Sequence, residues 1–186
     1  DSHNVPFWDR KLATYVIYAR GAAGSGGPFK GGYRWIRRAT SDDFNRWTPL
    51  ESIETDETPS EHLYTNAYTP YERAPGTYLM FPSRLVLERS PDPEWERQYG
   101  SGVSDIVFMS SRDGLHFDRS FMGAWIRPGP EEENWHERGI YLGSGIVQTS
   151  RDEMSIYGRQ HSRLPTTHLR RYSLRTDGFV SMNAGF

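Results

Sequence analysis

The sequence contains no cysteine, so disulfides, thiol nucleophiles and thiolate metal ligands are all excluded. The compartment stays open, because many exported bacterial proteins also lack cysteine. Nor is there a surplus of basic charge. Lys plus Arg number 22 against 24 Asp plus Glu, for a net charge of −2 and a pI near 6.3. No basic field exists to attract a phosphate backbone, and nucleic acid is not expected as a partner. No apolar run approaches the roughly 20 residues that span a bilayer, so no membrane partner is expected. The opening DSHNVPFWDR lacks an initiator Met and a signal-peptide apolar stretch, which predicts that the chain begins inside a longer protein. Apolar spacing at i, i+3, i+4 and i+7 is not sustained over three turns anywhere, and essentially no helix is predicted. The Gly-rich stretch around Lys30 is followed by Gly31 where a phosphate loop requires Ser or Thr, which excludes a nucleotide site. Glu131 to Glu133 lack a ligand-spaced loop and read as a solvated charge run, so no metal and no cofactor are expected.

What is present is a chain of 186 residues, 35% hydrophobic and 14% aromatic, long enough for a sizeable core. It repeats itself. SDDFNRW, SRDGLHF and RTDGFVS align on Asp43, Asp113 and Asp177 at near-equal intervals, and such self-similarity is the signature of a repeat architecture. Each Asp follows a run of strand composition: YRWIRRAT, DIVFMSS or THLRRYSL. A further strand precedes each of these, TYVIYAR, TYLMFPSR or EMSIYGRQ, and a shorter one precedes that: NVPFW, TNAYTPY or YLGSGIV. WTPL, FDRSF and FVSMNAG follow the Asp turns and complete four strands per unit, joined by Gly, Pro, Asn and Asp. Gly21 to Gly32 and Ser90 to Gly102 read as loop insertions between second and third strands. The fold class predicted is all-β: a β-propeller of four-stranded antiparallel blades, approximately 1–57, 58–127 and 128–186. Since propellers close with about four to eight blades, roughly two of a probable five are expected to be missing, from the N-terminal side.

In a four-stranded meander the start of the first strand and the end of the second share one rim, because neighbours run antiparallel. That rim collects Asp1, Ser2, His3 and Asn4, then His62, Tyr64, Thr65 and Asn66, then Trp135, Glu137, Arg138 and Tyr141. Ends of second strands add Arg20, Arg84, Arg159 and His161. Carboxylates, imidazoles, guanidinium groups and aromatic rings together suit a polyhydroxylated ligand, which predicts an oligo- or polysaccharide partner. The three turn aspartates fall on the opposite rim, where Asp side chains close turns by bonding to backbone N–H groups. Trp35, Trp47 and Phe117 are expected in the core between sheets.

DSHNVPFWDRKLATYVIYAR resembles the blade opening of the five-bladed-propeller glycoside hydrolases, the superfamily of invertases, levanases, arabinanases and β-xylosidases. SRDGLHFDR is similar to their S-x-D-G-x-x-W turn, and LRTDGFVSM to the propeller end of uncharacterised bacterial relatives that carry more sequence before this point. The resemblance implies an exported carbohydrate-active protein that cleaves glycosidic bonds with acidic residues at the starts of innermost strands. Bond cleavage needs two carboxylates: an acid that protonates the leaving oxygen and a base or nucleophile. Only Asp1 matches an acidic position of the superfamily, as base or stabiliser, and Asn66 stands where the next acid is expected. The remaining candidates are ligand contacts: His3, Asn4, His62, Tyr64, Asn66, Arg84, Trp135, Arg159 and His161. Two alternatives stay open. One is a non-catalytic propeller that binds glycan or protein, favoured by Asn66; the other is a phosphorylase, for which the rim arginines are suited.

Overall fold

The structure, a computed structural model, describes residues 3–23, 32–89 and 92–181. It opens with an antiparallel sheet in chain order: β1 (Val5–Asp9), β2 (Thr14–Ala23), β3 (Tyr33–Ser41) and β4 (Glu51–Ser52). Asp9 closes the first hairpin, its Oδ1 accepting from Lys11 N–H and Leu12 N–H. The fourth strand lies beyond WTPL, where the sequence predicts it. Thr48 N–H bonds Thr40 O, Thr48 Oγ1 accepts from Thr40 N–H, and Pro49 has no N–H to give to a ladder. Pairing therefore resumes only at Glu51 and Ser52.

Next come β5 (His62–Leu63), β6 (Thr69–Pro70), β7 (Tyr78–Met80), β8 (Ser83–Val86), α1 (Pro93–Tyr99), β9 (Val103–Ile106), β10 (Met109–Ser111) and β11 (Phe117–Asp118). These form a four-stranded sheet in the order β11-β10-β7-β6 and a three-stranded one, β5-β8-β9. The two run on from each other. Pro82 interrupts the ladder, yet Phe81 N–H to Asn66 O, Tyr64 N–H to Ser83 O and Val107 N–H to Pro82 O stitch across the break. The last elements are a 3-10 turn at Glu132–Asn134, then β12 (Tyr141–Leu142), β13 (Val147–Gln148), β14 (Glu153–Gln160) and β15 (His168–Arg175). β12 and β13 pair with opposite ends of β14, and β15 runs along its other edge. FVSMNAG forms no strand among the described residues; its end lies outside them.

One short helix, α1, lies inside the stretch predicted to be a loop, the exception to an expectation of essentially no helix. Asp92 caps it by accepting from Glu94 N–H at 2.8 Å, Pro93 opens the first turn, and Gly100 at φ 97° ends it. Trp95 and Tyr99 lay this helix against His136, with ring centroids 5.7 and 4.9 Å apart.

The core lies between successive sheets and is divided by the period-two alternation of strands. Tyr78, Met80, Val107 and Met109 face the first sheet, packing with Val16, Tyr18, Trp35 and Ile36. Their chain neighbours Leu79, Phe81, Ile106 and Phe108 face the third, packing with Ile140, Leu142, Met154 and Ile156. Phe7, Tyr18 and Tyr68 stack at the first junction, Tyr68 lying 4.4 Å from each of the other two rings. Trp35 and Phe117 are buried here. Trp47 instead packs against the exposed Phe44 in the turn after β3.

Two of the three repeated aspartates close their turns alike. Asp43 Oδ1 accepts from the N–H groups of Asn45 and Arg46, and Asp113 Oδ1 from those of Leu115 and His116. A serine two residues earlier donates to each, Ser41 at 3.2 Å and Ser111 at 3.1 Å. Asp177 departs from this pattern: its carboxylate takes the Arg73 guanidinium and the Tyr71 hydroxyl of the preceding unit.

Candidate functional site

The first strands of the three successive sheets meet. Asn66 Nδ2 donates to His3 O at 2.8 Å, Ala67 N–H donates to His3 Nδ1 at 3.3 Å, and Gly145 N–H donates to Thr69 Oγ1 at 2.6 Å. Because His3 Nδ1 accepts, its neutral ring carries the proton on Nε2, which faces Ser144 Oγ at 3.2 Å. Burial holds His3 below the ordinary histidine value, favouring that neutral form.

A cleft of about 560 Å³ opens beside this convergence, lined by His3, Tyr64, Thr65, Arg138, Tyr141, Tyr157, Arg159 and Arg163 among others. Of the residues expected at the rim, His3, Tyr64, Thr65, Arg138, Tyr141 and Arg159 are brought together here. The Tyr64 ring is surrounded by cations: the guanidinium carbons of Arg20, Arg34 and Arg138 lie 5.3, 5.5 and 5.4 Å from its centroid. Arg159 lies 5.4 Å over Tyr141, and Arg163 lies 5.5 Å over Tyr99 of α1. Burial raises the Tyr141 hydroxyl well above the ordinary tyrosine value, so it stays protonated and able to donate. Glu137, at the margin, has both oxygens engaged, by Arg34 Nη2 at 2.9 Å and Arg138 Nη2 at 2.8 Å. Burial works against the Arg138 charge, but Glu137 outweighs it and lifts the guanidinium above its usual value.

Backbone strain gathers at the same place. His3, Arg138 and Arg163 adopt φ of 47°, 65° and 73°, the left-handed region that costs a residue with a Cβ roughly 1–2 kcal/mol. Such strain persists where the surroundings over-determine it, as they do at binding sites.

Other expected contacts lie elsewhere. Arg84 is buried at the centre of an ion cluster, its Nε and Nη2 on the two oxygens of Asp105 at 2.9 and 2.8 Å and its Nη1 on Glu61 at 2.7 Å. Its donors are committed within the protein, which corrects its placement at the rim. Asn66 is also buried, its Nδ2 on His3 O and its Oδ1 accepting from Tyr68 N–H, so it ties adjacent sheets together. His62 accepts from Arg34 N–H and lines a neighbouring depression with Tyr33, Leu87 and Glu137. Its pKa is lowered by burial, with Arg34 adding to the effect. Trp135 is exposed with its indole N–H on Gly129 O, and His161 faces Glu131 at 2.9 Å. Asn4 is exposed and outside the lining. Asp1 lies outside the described residues.

Tyr157 and Arg163 also line the cleft, although neither is among the residues expected at the rim. Tyr157 stands two residues before Arg159 on β14, hence on the same face, and period-two alternation could have found it. Arg163 is placed by a left-handed turn that no simple pattern announces. Among the described residues no carboxylate lines the cleft, and no group of His, Asp and Glu is arranged to hold a metal ion. No described helix is long and apolar enough to cross a membrane.

No protein-family model matches the chain, and no curated protein matches it. Solved structures do share its fold. A crystal structure of an N-acetylgalactosamine deacetylase from F. plautii in complex with blood group B trisaccharide aligns over 92% of this chain and 49% of its own, with TM-score 0.61 and 10% identity. A structure of a BT0996 complex with RGII aligns over 91% of this chain and 44% of its own, with TM-score 0.55 and 13% identity. A glycoside hydrolase structure gives the same coverages and identity, 91%, 44% and 13%, with TM-score 0.53. The chain thus spans about half the length of the structures it resembles. At these identities the likeness defines the class by fold alone, an all-β chain of successive antiparallel sheets.

Proposed function

We propose that the protein is a three-blade segment of a five-bladed β-propeller, its blades at approximately 1–57, 58–127 and 128–186, and that the cleft at the meeting of the first strands binds an oligo- or polysaccharide. The observation that carries this reading is the cleft itself. Tyr64, Tyr141 and Tyr157 supply aromatic rings, and His3, Thr65 and Arg159 supply hydrogen-bonding groups, where residues of all three units line one cleft. Rings for the apolar faces of a sugar and fixed donors for its hydroxyls are the chemistry such a ligand requires. Support also comes from the fold, shared with proteins whose structures hold a trisaccharide or are described as a glycoside hydrolase.

Calorimetric titration against a panel of oligosaccharides tests the proposal. Removing one stacked ring with Tyr141→Ala should weaken binding by up to about tenfold, the equivalent of about 1.4 kcal/mol. Absence of binding at millimolar sugar, or an unchanged affinity in the variant, sinks the reading.

Hydrolysis is the second reading, favoured by the position of Asp1 two residues before His3, which lines the cleft. Two carboxylates are needed. Glu137 is unsuited to be the second, because both its oxygens already accept from guanidinium groups. Sugar release that vanishes in Asp1→Asn would make the protein a glycosidase; binding without release leaves a glycan-binding propeller.

A further inference from the structure

We infer that the sugar taken by this cleft is anionic, carrying a carboxylate that meets the forks of Arg159 and Arg163. The inference rests on the glycan reading and adds a charge to it. The chain as a whole has net charge −2, yet its cleft is lined by three arginines and, among the described residues, by no carboxylate. Other arginines nearby are answered by acids: Arg170 by Glu131 at 2.8 Å, Arg34 and Arg138 by Glu137. Arg159 and Arg163 are exposed, and among the described residues neither has a carboxylate partner.

Both guanidinium groups are nonetheless held in position, Arg159 by Tyr141 and Arg163 by Tyr99. Ring contacts fix the plane of a guanidinium and leave its N–H edge open, the geometry that accepts a carboxylate through two parallel hydrogen bonds. Arg163 is also held at φ 73°, so an unfavourable backbone conformation persists at a residue whose charge has no carboxylate partner among the described residues. A cleft of one sign with walls of low dielectric concentrates ligands of the other. Tyr64, Tyr141 and Tyr157 would meet the sugar ring while the arginines take its charge.

The test titrates galacturonate, glucuronate and mannuronate trisaccharides, each beside its methyl ester, which keeps the ring and removes the charge. A neutral oligosaccharide panel and a sulfated disaccharide run alongside. A uronate should bind at least about tenfold tighter than its ester, with a ratio that narrows as salt rises. Arg159→Gln with Arg163→Gln should lower uronate affinity about tenfold or more and bring the ratio toward one. Circular dichroism and melting temperature check that the variant is folded. Equal affinity for acid and ester, or equal weakening of both in the variant, overturns the anionic assignment. Binding of the neutral panel alone overturns it too, while the glycan reading survives. Preference for the sulfated probe over every uronate replaces the carboxylate with an undirected attraction and also overturns it. If no sugar of any charge binds, the glycan reading itself fails.

Discussion

Replacing Asp105 with alanine removes one of two carboxylates that balance three guanidinium groups inside the protein. Asp105 is fully buried, taking Arg84 through two hydrogen bonds and Arg89 Nη1 at 2.7 Å; Glu61 takes Arg84 and lies 2.5 Å from Arg119 Nη2. The cluster holds one excess positive charge as built and two without Asp105. Arg84 is itself only 7% exposed, so water cannot answer the freed charge, and breaking a buried pair from one side costs about 3–5 kcal/mol. Arg84→Met should cost less, about 1–3 kcal/mol, because it leaves two balanced pairs, Asp105 with Arg89 and Glu61 with Arg119. Joining Asp105→Leu to Arg84→Met restores the original excess and should be milder than Asp105→Ala alone. Urea unfolding at neutral pH measures all three. With a slope of about 2 kcal/mol/M, the midpoint of Asp105→Ala should fall by about 1.5–2.5 M. Arg73→Ala breaks a surface pair with Asp177 and should cost under about 1 kcal/mol. If Arg84→Met proves as damaging as Asp105→Ala, charge balance is not what the cluster provides.

A Cβ at Gly158 would sit 2.7 Å from Tyr141 O and 2.6 Å from a Leu142 methyl. Gly158→Ala should therefore cost about 1–3 kcal/mol of stability and weaken sugar binding through displacement of Tyr141, read by urea midpoint and titration together. Burial lowers the pKa of His3, His62 and His136 from 6.5. Each is protonated more readily unfolded than folded, so stability should decline as pH falls below about 6.5, and His3→Gln should flatten that part of the profile. Asp113 is pulled well below the usual carboxylate range, burial opposing and the Leu115 and His116 contacts prevailing. Its contribution should be full above about pH 4 and fade as acid takes the pH down toward the folded value; an Asp113→Asn melting series that parallels the parent below pH 4 would contradict this.

The second and third strands of each unit are legible in the sequence because alternation fixes which side chains face which neighbour, as in TYVIYAR and YRWIRRAT. First strands are harder. β5, β6, β12 and β13 are two residues each, too short for any period to show. The helix escaped for the same reason: seven residues complete two turns, not three, although Asp92, Pro93 and Gly100 mark both of its ends. The site followed from strand ends, which place His3, Tyr64, Arg138, Tyr141 and Arg159 together without knowledge of any distance. Arg84 stands at a strand end too, but its neighbour across the ladder is Asp105, a pairing set by register. Register is a property of two segments, and one strand end cannot disclose it.

The position of Glu137 decides how the cleft divides its chemistry. A general acid must carry its proton on an oxygen aimed at the leaving group, and the two guanidinium groups on Glu137 hold both oxygens as acceptors. Glu137 instead fixes Arg34 and Arg138, and these two flank the Tyr64 ring. A single buried carboxylate thereby orients a tyrosine platform and cancels only part of the charge around it. The excess reaches the solvent at Arg159 and Arg163, which line the same cleft. Glu137→Gln keeps the size but loses the charge, so it should loosen the Tyr64 surround and raise the net positive charge of the cleft. If the anionic inference is right, this variant weakens binding of a neutral sugar, through Tyr64, more than it weakens binding of a uronate, which gains attraction from the added charge. Equal losses for both would mean that Glu137 acts on the cleft through shape alone.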